Sequence, residues 1–201
     1  MTEQRYPVME IFYTIQGEGA WSGHAAYFVR LAGCDVGCVW CDVKESWDSS
    51  QYPLFSATQI IEQFEPTSCK MVVITGGEPA MYNLTELTSE LIKNNYKVHI
   101  ETSGAYPLQG EFDWVCFSPK KFKKPIDNFG IDANELKVIV FNRSDFEWAE
   151  TYKNGIGKDC KLYLQPEWDK KDTVSEMIVE YVKTHPEWHV SLQTHKYLNI
   201  P

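Results

Sequence analysis

The chain has 201 residues, 43% of them hydrophobic and 23% charged, with a formal net charge of −9. This is an ordinary globular composition that suits one domain over residues 1–201, and no stretch approaches the roughly 18 unbroken apolar residues of a membrane span. The acidic balance argues against a sequence-independent grip on nucleic acid, and the start MTEQRYPVMEIFYT lacks the pattern of a signal peptide, so the expected compartment is the cytoplasm.

Strand candidates lie at 7–13, 25–32, 70–75, 97–102, 113–118, 135–141, 161–165 and 189–193, rich in Val, Ile, Tyr and Phe and bounded by turn residues. The first runs into Gln16-Gly17-Glu18-Gly19, a turn that a plain hairpin would also use. The second, YFVRLAG, carries Arg30 in an otherwise apolar run. An arginine so placed needs a partner and suits a carboxylate ligand held as a bidentate pair.

Cys34, Cys38 and Cys41 follow at once, in GCDVGCVWCD. In a reducing compartment such thiols stay free for a metal or for catalysis. Three thiolates in one short loop can hold three corners of a cuboidal iron–sulfur cluster and leave the fourth iron open to a chelating ligand. Structural zinc would ask for a fourth protein ligand at close spacing, and His24 lies ten residues upstream of Cys34. Cys69, Cys116 and Cys160 are scattered, the last two in or beside strand-like segments, as core thiols would be.

Capping boxes announce helices at Ser56…Gln59, Asn83…Glu86, Ser144…Glu147 and Thr173…Glu176. The strand MVVIT is a continuous apolar run, as expected where both faces are covered. It ends in Thr75-Gly76-Gly77-Glu78-Pro79, where two glycines let the backbone approach a ligand and Glu78 can accept from an ammonium group. The next strands close on Glu101-Thr102-Ser103-Gly104 and Ser118-Pro119-Lys120. Their polar groups can hold ribose hydroxyls and a carboxylate, or simply turn the chain. Lys120, Lys121, Lys123 and Lys124 form a basic run that reads as a solvated loop, and LKVIVF is a second continuous apolar run. The last long helix carries Val174, Met177, Ile178, Tyr181 and Val182 on one face, directed at the core. The closing LNIP is apolar and suggests a tail packed into the fold.

Strand, helix and strand in succession imply parallel βαβ units. About eight strands with about four good helices fall short of a complete barrel. The prediction is an α/β fold, a partial TIM-like β/α barrel, with its chemistry at the C-terminal strand ends TGGEP, ETSG, SPKK, LQPE and LQTHKY.

The cysteine trio, with TGGEP one βα unit later, resembles the radical S-adenosylmethionine (SAM) superfamily. TIQGEG, FVRLAGC, the cysteine loop, TGGEP, ETSG, SPK, NELKV, LQP and LQTHKYLNIP, in this order, resemble the 7-carboxy-7-deazaguanine synthase family from Ile11 to Pro201. The trio marks the superfamily alone; QTHKYLNIP is particular to the family. The resemblance implies a radical SAM-type barrel with a [4Fe–4S] cluster on Cys34, Cys38 and Cys41. It implies conversion of 6-carboxy-5,6,7,8-tetrahydropterin to 7-carboxy-7-deazaguanine and ammonia, on the pathway to queuosine and other 7-deazapurines. In that reaction a 5′-deoxyadenosyl radical takes hydrogen from C6, the ring contracts, and the adenosyl group recovers its hydrogen.

Matching positions imply SAM contacts at Trp40, Cys41, Asp42, Gly77, Glu78, Thr102, Ser103, Gly104, Ser118, Pro119, Lys120 and Lys121. They imply substrate contacts at Ile15, Gln16, Gly17, Arg30, Thr75, His195 and Pro201, whose terminal carboxylate would meet the pterin. A homodimer, Mg²⁺ and an electron donor such as a flavodoxin or ferredoxin are implied as well. One position departs: where relatives carry a hydroxyl that binds Mg²⁺, this chain has Val43, which offers no oxygen to a hard cation. Glycyl-radical activases share the trio and act on a protein partner, but they have no need of Arg30 or the QTHKYLNIP tail. A zinc or cluster module without catalysis would leave TGGEP and ETSG idle. The stretch 43–55, with Trp47 and Asp48, either docks an electron donor or covers the cluster.

Overall fold

Side chains alternate across extended backbone, and that alternation builds two unlike faces from one sheet. The structure, a computed structural model, describes residues 3–201. Its strands are β1 (Arg5–Ile15), β2 (Ala25–Leu31), β3 (Leu54–Ser56), β4 (Met71–Gly76), β5 (Lys97–Thr102), β6 (Trp114–Phe117), β7 (Glu135–Val140), β8 (Lys161–Pro166) and β9 (Trp188–Val190). They form one sheet in the order β3-β1-β2-β4-β5-β6-β7-β8-β9. From β2 to β9 all neighbours are parallel, and β1 runs antiparallel to β2 and β3. No ladder joins β3 to β9 among the described residues. The result is the predicted partial barrel. β3 alone was not foreseen: three residues after Pro53 are too short to show a period.

The helices are α1 (Ala57–Ile61), α2 (Thr85–Lys93), α3 (Ser144–Lys153), α4 (Lys171–Thr184) and α5 (Thr194–Leu198). Only the Ser56–Gln59 capping box forms. At α2, Asn83 accepts from the Thr85 amide, but Glu86 is drawn to the Gln4 amide instead. Ahead of α3, Asn142 accepts from Ser144 N, and Asp145 receives the Phe141 and Asn142 amides. Before α4, Glu167 caps a 3₁₀ turn, which leaves Thr173 already inside the helix, bonded to the Lys170 carbonyl. Side chains nearer the exposed amides take the caps that the spacing had assigned elsewhere.

One sheet face carries Val29, Leu31, Ile74, Ile100, Phe117, Leu136, Val138 and Leu164, and packs on Leu87, Leu91, Ala149, Val174 and Ile178 of the helices. The predicted α4 stripe takes part, with Met177, Tyr181 and Val182 partly buried beside it. The other face points into the barrel. Its lower level is filled by the stacked Phe12–Phe28 pair, 5.2 Å between centroids, and by Trp21, His99 and Trp114. Burial pushes His99 down to about 4, so this imidazole is neutral. Cys116 belongs to this inner face, donating to Glu135 at 3.5 Å, whereas Cys160 packs against the core. LKVIVF is not apolar on both faces: Lys137 points inward and is 2% exposed.

Ile100 is fully buried at the centre of the helix-covered face. Ile100→Ala is expected to lower unfolding free energy by about 2–5 kcal/mol, and Ile131→Ala, at a position 57% exposed, by less than about 0.5 kcal/mol. Denaturant titration of the apoprotein checks both.

Candidate active site

Above the filled level, at the C-terminal ends of the strands, the inner face opens into a cavity of about 270 Å³. Its first wall is the cysteine loop. The Gly33 amide donates to the Ser46 carbonyl at 2.6 Å and the Cys34 amide to the Trp47 carbonyl at 3.2 Å. The stretch 43–55 therefore folds back as two short 3₁₀ turns, Lys44–Trp47 and Ser49–Gln51, that brace the start of the loop. Cys34, Cys38 and Cys41 are free thiols, all three on the cavity wall. They pack with Val36, Trp40, Ala105 and Tyr106. Burial pushes Cys34 up and Cys38 up to about 11, with the neighbouring cysteines adding to both shifts.

Among the described residues no three His, Cys, Asp or Glu gather closely enough for a single metal ion. His24 bonds the Trp21 carbonyl at 3.1 Å. Three thiols from one loop, all on the cavity wall, suit the donor set of a cubane with one open iron.

The second wall is the turn after β4. A Cβ at Gly76, where φ is +142°, would lie 2.0 Å from the Leu31 carbonyl oxygen, and one at Gly77 2.3 Å from that of Gly33. The glycines thus serve a close approach between this turn and the end of β2, sealed by Gly77 N to Leu31 O at 2.9 Å and Glu78 N to Gly33 O at 2.8 Å. Both glycines also line the cavity, where the sequence places a ligand. Glu78 is 1% exposed. It accepts from Ala80 N at 3.1 Å, Thr102 Oγ1 at 2.6 Å, Ser103 N at 2.8 Å and Ser103 Oγ. These four donors match the four lone-pair sites of a carboxylate, so an ammonium group reaches Glu78 by displacing one of them. Ser118 follows, its amide on the Thr102 carbonyl at 2.8 Å. Lys120 Nζ donates to the Ser118 carbonyl and Oγ, both at 2.6 Å, and burial lowers its pKa.

Three residues expected near SAM do not line the cavity. Gly104 packs behind it against Phe117 and Phe129, Pro119 is buried, and Lys121 pairs with Asp145 at 2.7 Å. Lys123 pairs with Asp35 and Lys124 with Asp127. The basic run is one cavity lysine, Lys120, followed by a largely solvent-exposed stretch whose lysines pair at the surface.

Ile15, Gln16, Gly17, Arg30, Thr75, His195 and Pro201 line the same cavity, with Trp40, Asp42 and Val43. Arg30 stands beside Thr75 in register. Its Nε donates to Glu10 at 2.6 Å, and its two terminal nitrogens have no hydrogen bond among the described residues. His195 packs on Gly17, where a Cβ would lie 2.2 Å from its Nδ1, and burial lowers its pKa. Thr194 N donates to the Gly17 carbonyl at 2.9 Å and Lys196 Nζ to Asp42 at 2.7 Å, which sets α5 over the cavity mouth. The tail packs less fully than expected: Tyr197 and Leu198 are more than half exposed.

The floor holds residues that sequence reasoning did not single out. Lys137 donates to Glu18 and, at 3.5 Å, to Glu101. Gln16 donates to Glu101 at 2.9 Å and Gln193 to Glu18 at 3.0 Å. Burial works to raise the Glu18 carboxyl, but Lys137 and Gln193 hold it at about 2. Burial also opposes the charge of Lys137, and the acidic groups around it, Cys116, Glu101, Glu18 and Glu135, outweigh that and hold it well above the ordinary lysine range. A lysine inside the run LKVIVF was the available signal.

The model of the radical SAM superfamily matches residues 29–118. A 7-carboxy-7-deazaguanine synthase from Flavobacterium psychrophilum is 53% identical over 195 residues, 97% of this chain and 92% of the relative. One from Synechocystis sp. is 47% identical over 97% of this chain and 93% of its own. A crystal structure of QueE from Escherichia coli aligns with a TM-score of 0.85 at 31% identity, over 95% of each chain. With this degree of identity along nearly the whole chain, and three free thiols opening on one strand-end cavity, the protein belongs to the 7-carboxy-7-deazaguanine synthase family of radical SAM enzymes.

Proposed function

We infer that this protein is a lyase that converts 6-carboxy-5,6,7,8-tetrahydropterin to 7-carboxy-7-deazaguanine and ammonia, with a [4Fe–4S] cluster and SAM, in 7-deazapurine biosynthesis. The observation that carries the reading is one cavity shared by three free thiols and by Arg30 with its unengaged terminal nitrogens. When bound, the cluster supplies the electron that splits SAM into methionine and the 5′-deoxyadenosyl radical.

The chain's own residues do the rest. Cys34, Cys38 and Cys41 would hold the cluster through their three thiolates, with SAM bound at the open position that three protein ligands leave. Gly77, Glu78, Thr102, Ser103 and Ser118 form the adjoining wall, with Trp40 and Asp42 across from it. The Lys120 ammonium is placed for the methionine carboxylate, and Thr102 and Ser103 offer hydroxyls. Gly104, Pro119 and Lys121 support these loops from behind. On the other side Arg30 takes the pterin carboxylate as a bidentate pair, next to Thr75. Ile15, Gln16, Gly17, His195 and Pro201 enclose the ring. Trp47 and α5 narrow the mouth, which keeps water from a reactive radical.

The relatives that match nearly the whole chain are named for a small-molecule synthase, and Arg30 suits a small carboxylate ligand, so activation of a protein partner is not favoured. The electron comes from a small redox protein such as a flavodoxin or ferredoxin, and the working unit is a homodimer in the cytoplasm. Among the described residues no helix is long and apolar enough to cross a membrane.

Anaerobically reconstituted protein is expected to hold about four irons per chain and, once reduced, to form the deazaguanine from the carboxypterin and SAM. Alanine at Cys34, Cys38 or Cys41 abolishes SAM cleavage, and alanine at Cys69 or Cys160 does not. Zinc in place of iron, with no product, would overturn the assignment.

Val43 lines the cavity without an oxygen, and Asp42 is held by Lys196. A magnesium ion here leans on substrate, water or a backbone carbonyl. Activity should depend little on added Mg²⁺ in the parent and more strongly in Val43→Thr. Strong dependence in the parent, unchanged by the substitution, removes side chain 43 from any role with the metal.

Pro201 lines the cavity, so a short Gly-Ser segment added after it crowds the pocket. Pterin affinity should fall about tenfold or more, roughly 1.4 kcal/mol, with iron content unchanged. An extended protein that binds the pterin as tightly as the parent excludes the terminus from the site.

A further inference from the structure

Lys137 stands at the centre of a charged array that the reaction as described does not use. Its side chain is 3% exposed, and an ammonium buried so deeply is stable only beside anionic partners. Two face it, and they are held unequally. Glu18 is bound on both oxygens, one by Lys137 at close range and the other by Gln193 at 3.0 Å; its side chain is 15% exposed. Glu101 receives Gln16 at 2.9 Å on one oxygen and has only the 3.5 Å contact to Lys137 on the other; its side chain is 25% exposed. Glu135, on Lys137's own strand, points at the Ala20 amide at 3.0 Å and the Cys116 thiol, away from the cavity opening. Burial raises its pKa and so favours its neutral form. Within this array one ammonium faces two carboxylates, and the distances leave Glu101 the less closely paired of the two.

We propose that Lys137 is a positioning residue for the pterin: by binding Glu18 it leaves Glu101 as the less closely paired carboxylate that faces the cavity and accepts N–H groups of the reduced ring. This rests on the pterin reading above. The tetrahydropterin carries N–H groups at N3, N5, N8 and the 2-amino nitrogen, more than one terminal carboxylate can receive. Glu101 retains lone pairs toward the cavity, because its two contacts occupy two of four acceptor sites. Gln16 and Lys137 fix the plane of the carboxylate, so little freedom is lost when the ring arrives.

The test is the dissociation constant of the carboxytetrahydropterin, by anaerobic calorimetry on cluster-loaded protein with SAM. Lys137→Met should weaken binding by about tenfold or more, as when one partner of a buried charge pair is removed. Lys137→Met with Glu18→Gln should return to within about threefold of the parent, because the two changes address the same interaction. Lys137→Met with Glu101→Gln, equal to it in net charge, should stay weak. Iron content and thermal midpoint establish that both double variants are folded. If Lys137→Met alone does not load iron, the two doubles decide. Equal binding by the doubles, or recovery only with Glu101→Gln, overturns the proposal. A parent protein that neither binds nor converts the pterin instead overturns the function on which the proposal rests.

Discussion

Two backbone hydrogen bonds, Gly77 N to Leu31 O and Glu78 N to Gly33 O, join the turn after β4 to the end of β2, and the loops above the sheet are assembled from that seam. A side chain at either glycine would collide with carbonyl oxygens at 2.0 and 2.3 Å, so no other residue permits the approach. The seam sets the first residues of the cysteine loop against Glu78. Glu78 in turn holds Thr102 and Ser103, and the Thr102 carbonyl holds the Ser118 amide. Four successive strand ends are thus linked by hydrogen bonds that run across the sheet. A cluster bound on the first loop and a nucleoside bound by the others would share one rigid frame.

The two faces of the sheet solve opposite problems. Toward the helices every inner position is apolar and close-packed, and this face holds the barrel together. Toward the interior the strands carry Arg30, Thr75, Glu101, Lys137 and Gln165 at their upper level, each unfavourable to bury alone. They are tolerated because their partners stand on different strands: Lys137 on β7 meets Glu101 on β5 and Glu18 beyond β1. The array also ties distant parts of the chain together. Gln193 and Gln16 extend it to the segment before α5 and to the end of β1.

Much of this was legible in the residues. Eight strands were read from composition and turn signals, and the partial barrel from their number and order. The cysteine spacing led to the wall where the thiols stand. What was not legible depends on contacts between distant segments. Three capping boxes fail because Asn142, Glu167 and Gln4, outside the motif, compete for the same groups. The glycines of TGG line the cavity as expected, but their second role, the close approach to Leu31 and Gly33, was hidden because those residues lie more than forty positions away in the chain. Lys137 escaped notice because it sits within an apolar run, where a period of two hides a single inward charge. Lys121 and Gly104 belong to loops that border the cavity, but Lys121 is drawn to Asp145 and the Gly104 backbone packs against Phe117 and Phe129.

The open sheet has a mechanical consequence. In a closed barrel, widening the interior means breaking ladder hydrogen bonds around the ring. Here β3 and β9 share no ladder among the described residues, and the gap is spanned by isolated contacts: Gly19 N to Ser191, Gln193 to Glu18, Thr194 N to the Gly17 carbonyl and Lys196 to Asp42. The two neutral ones are worth about 0.5–1.5 kcal/mol each, and the two to carboxylates about 1.5–3 kcal/mol or less where exposed. Widening the cavity at this seam would cost a few separate contacts rather than a ladder, and the seam lies beside Gln16, Gly17 and His195 while the thiols stand on the loop after β2, inside the parallel array.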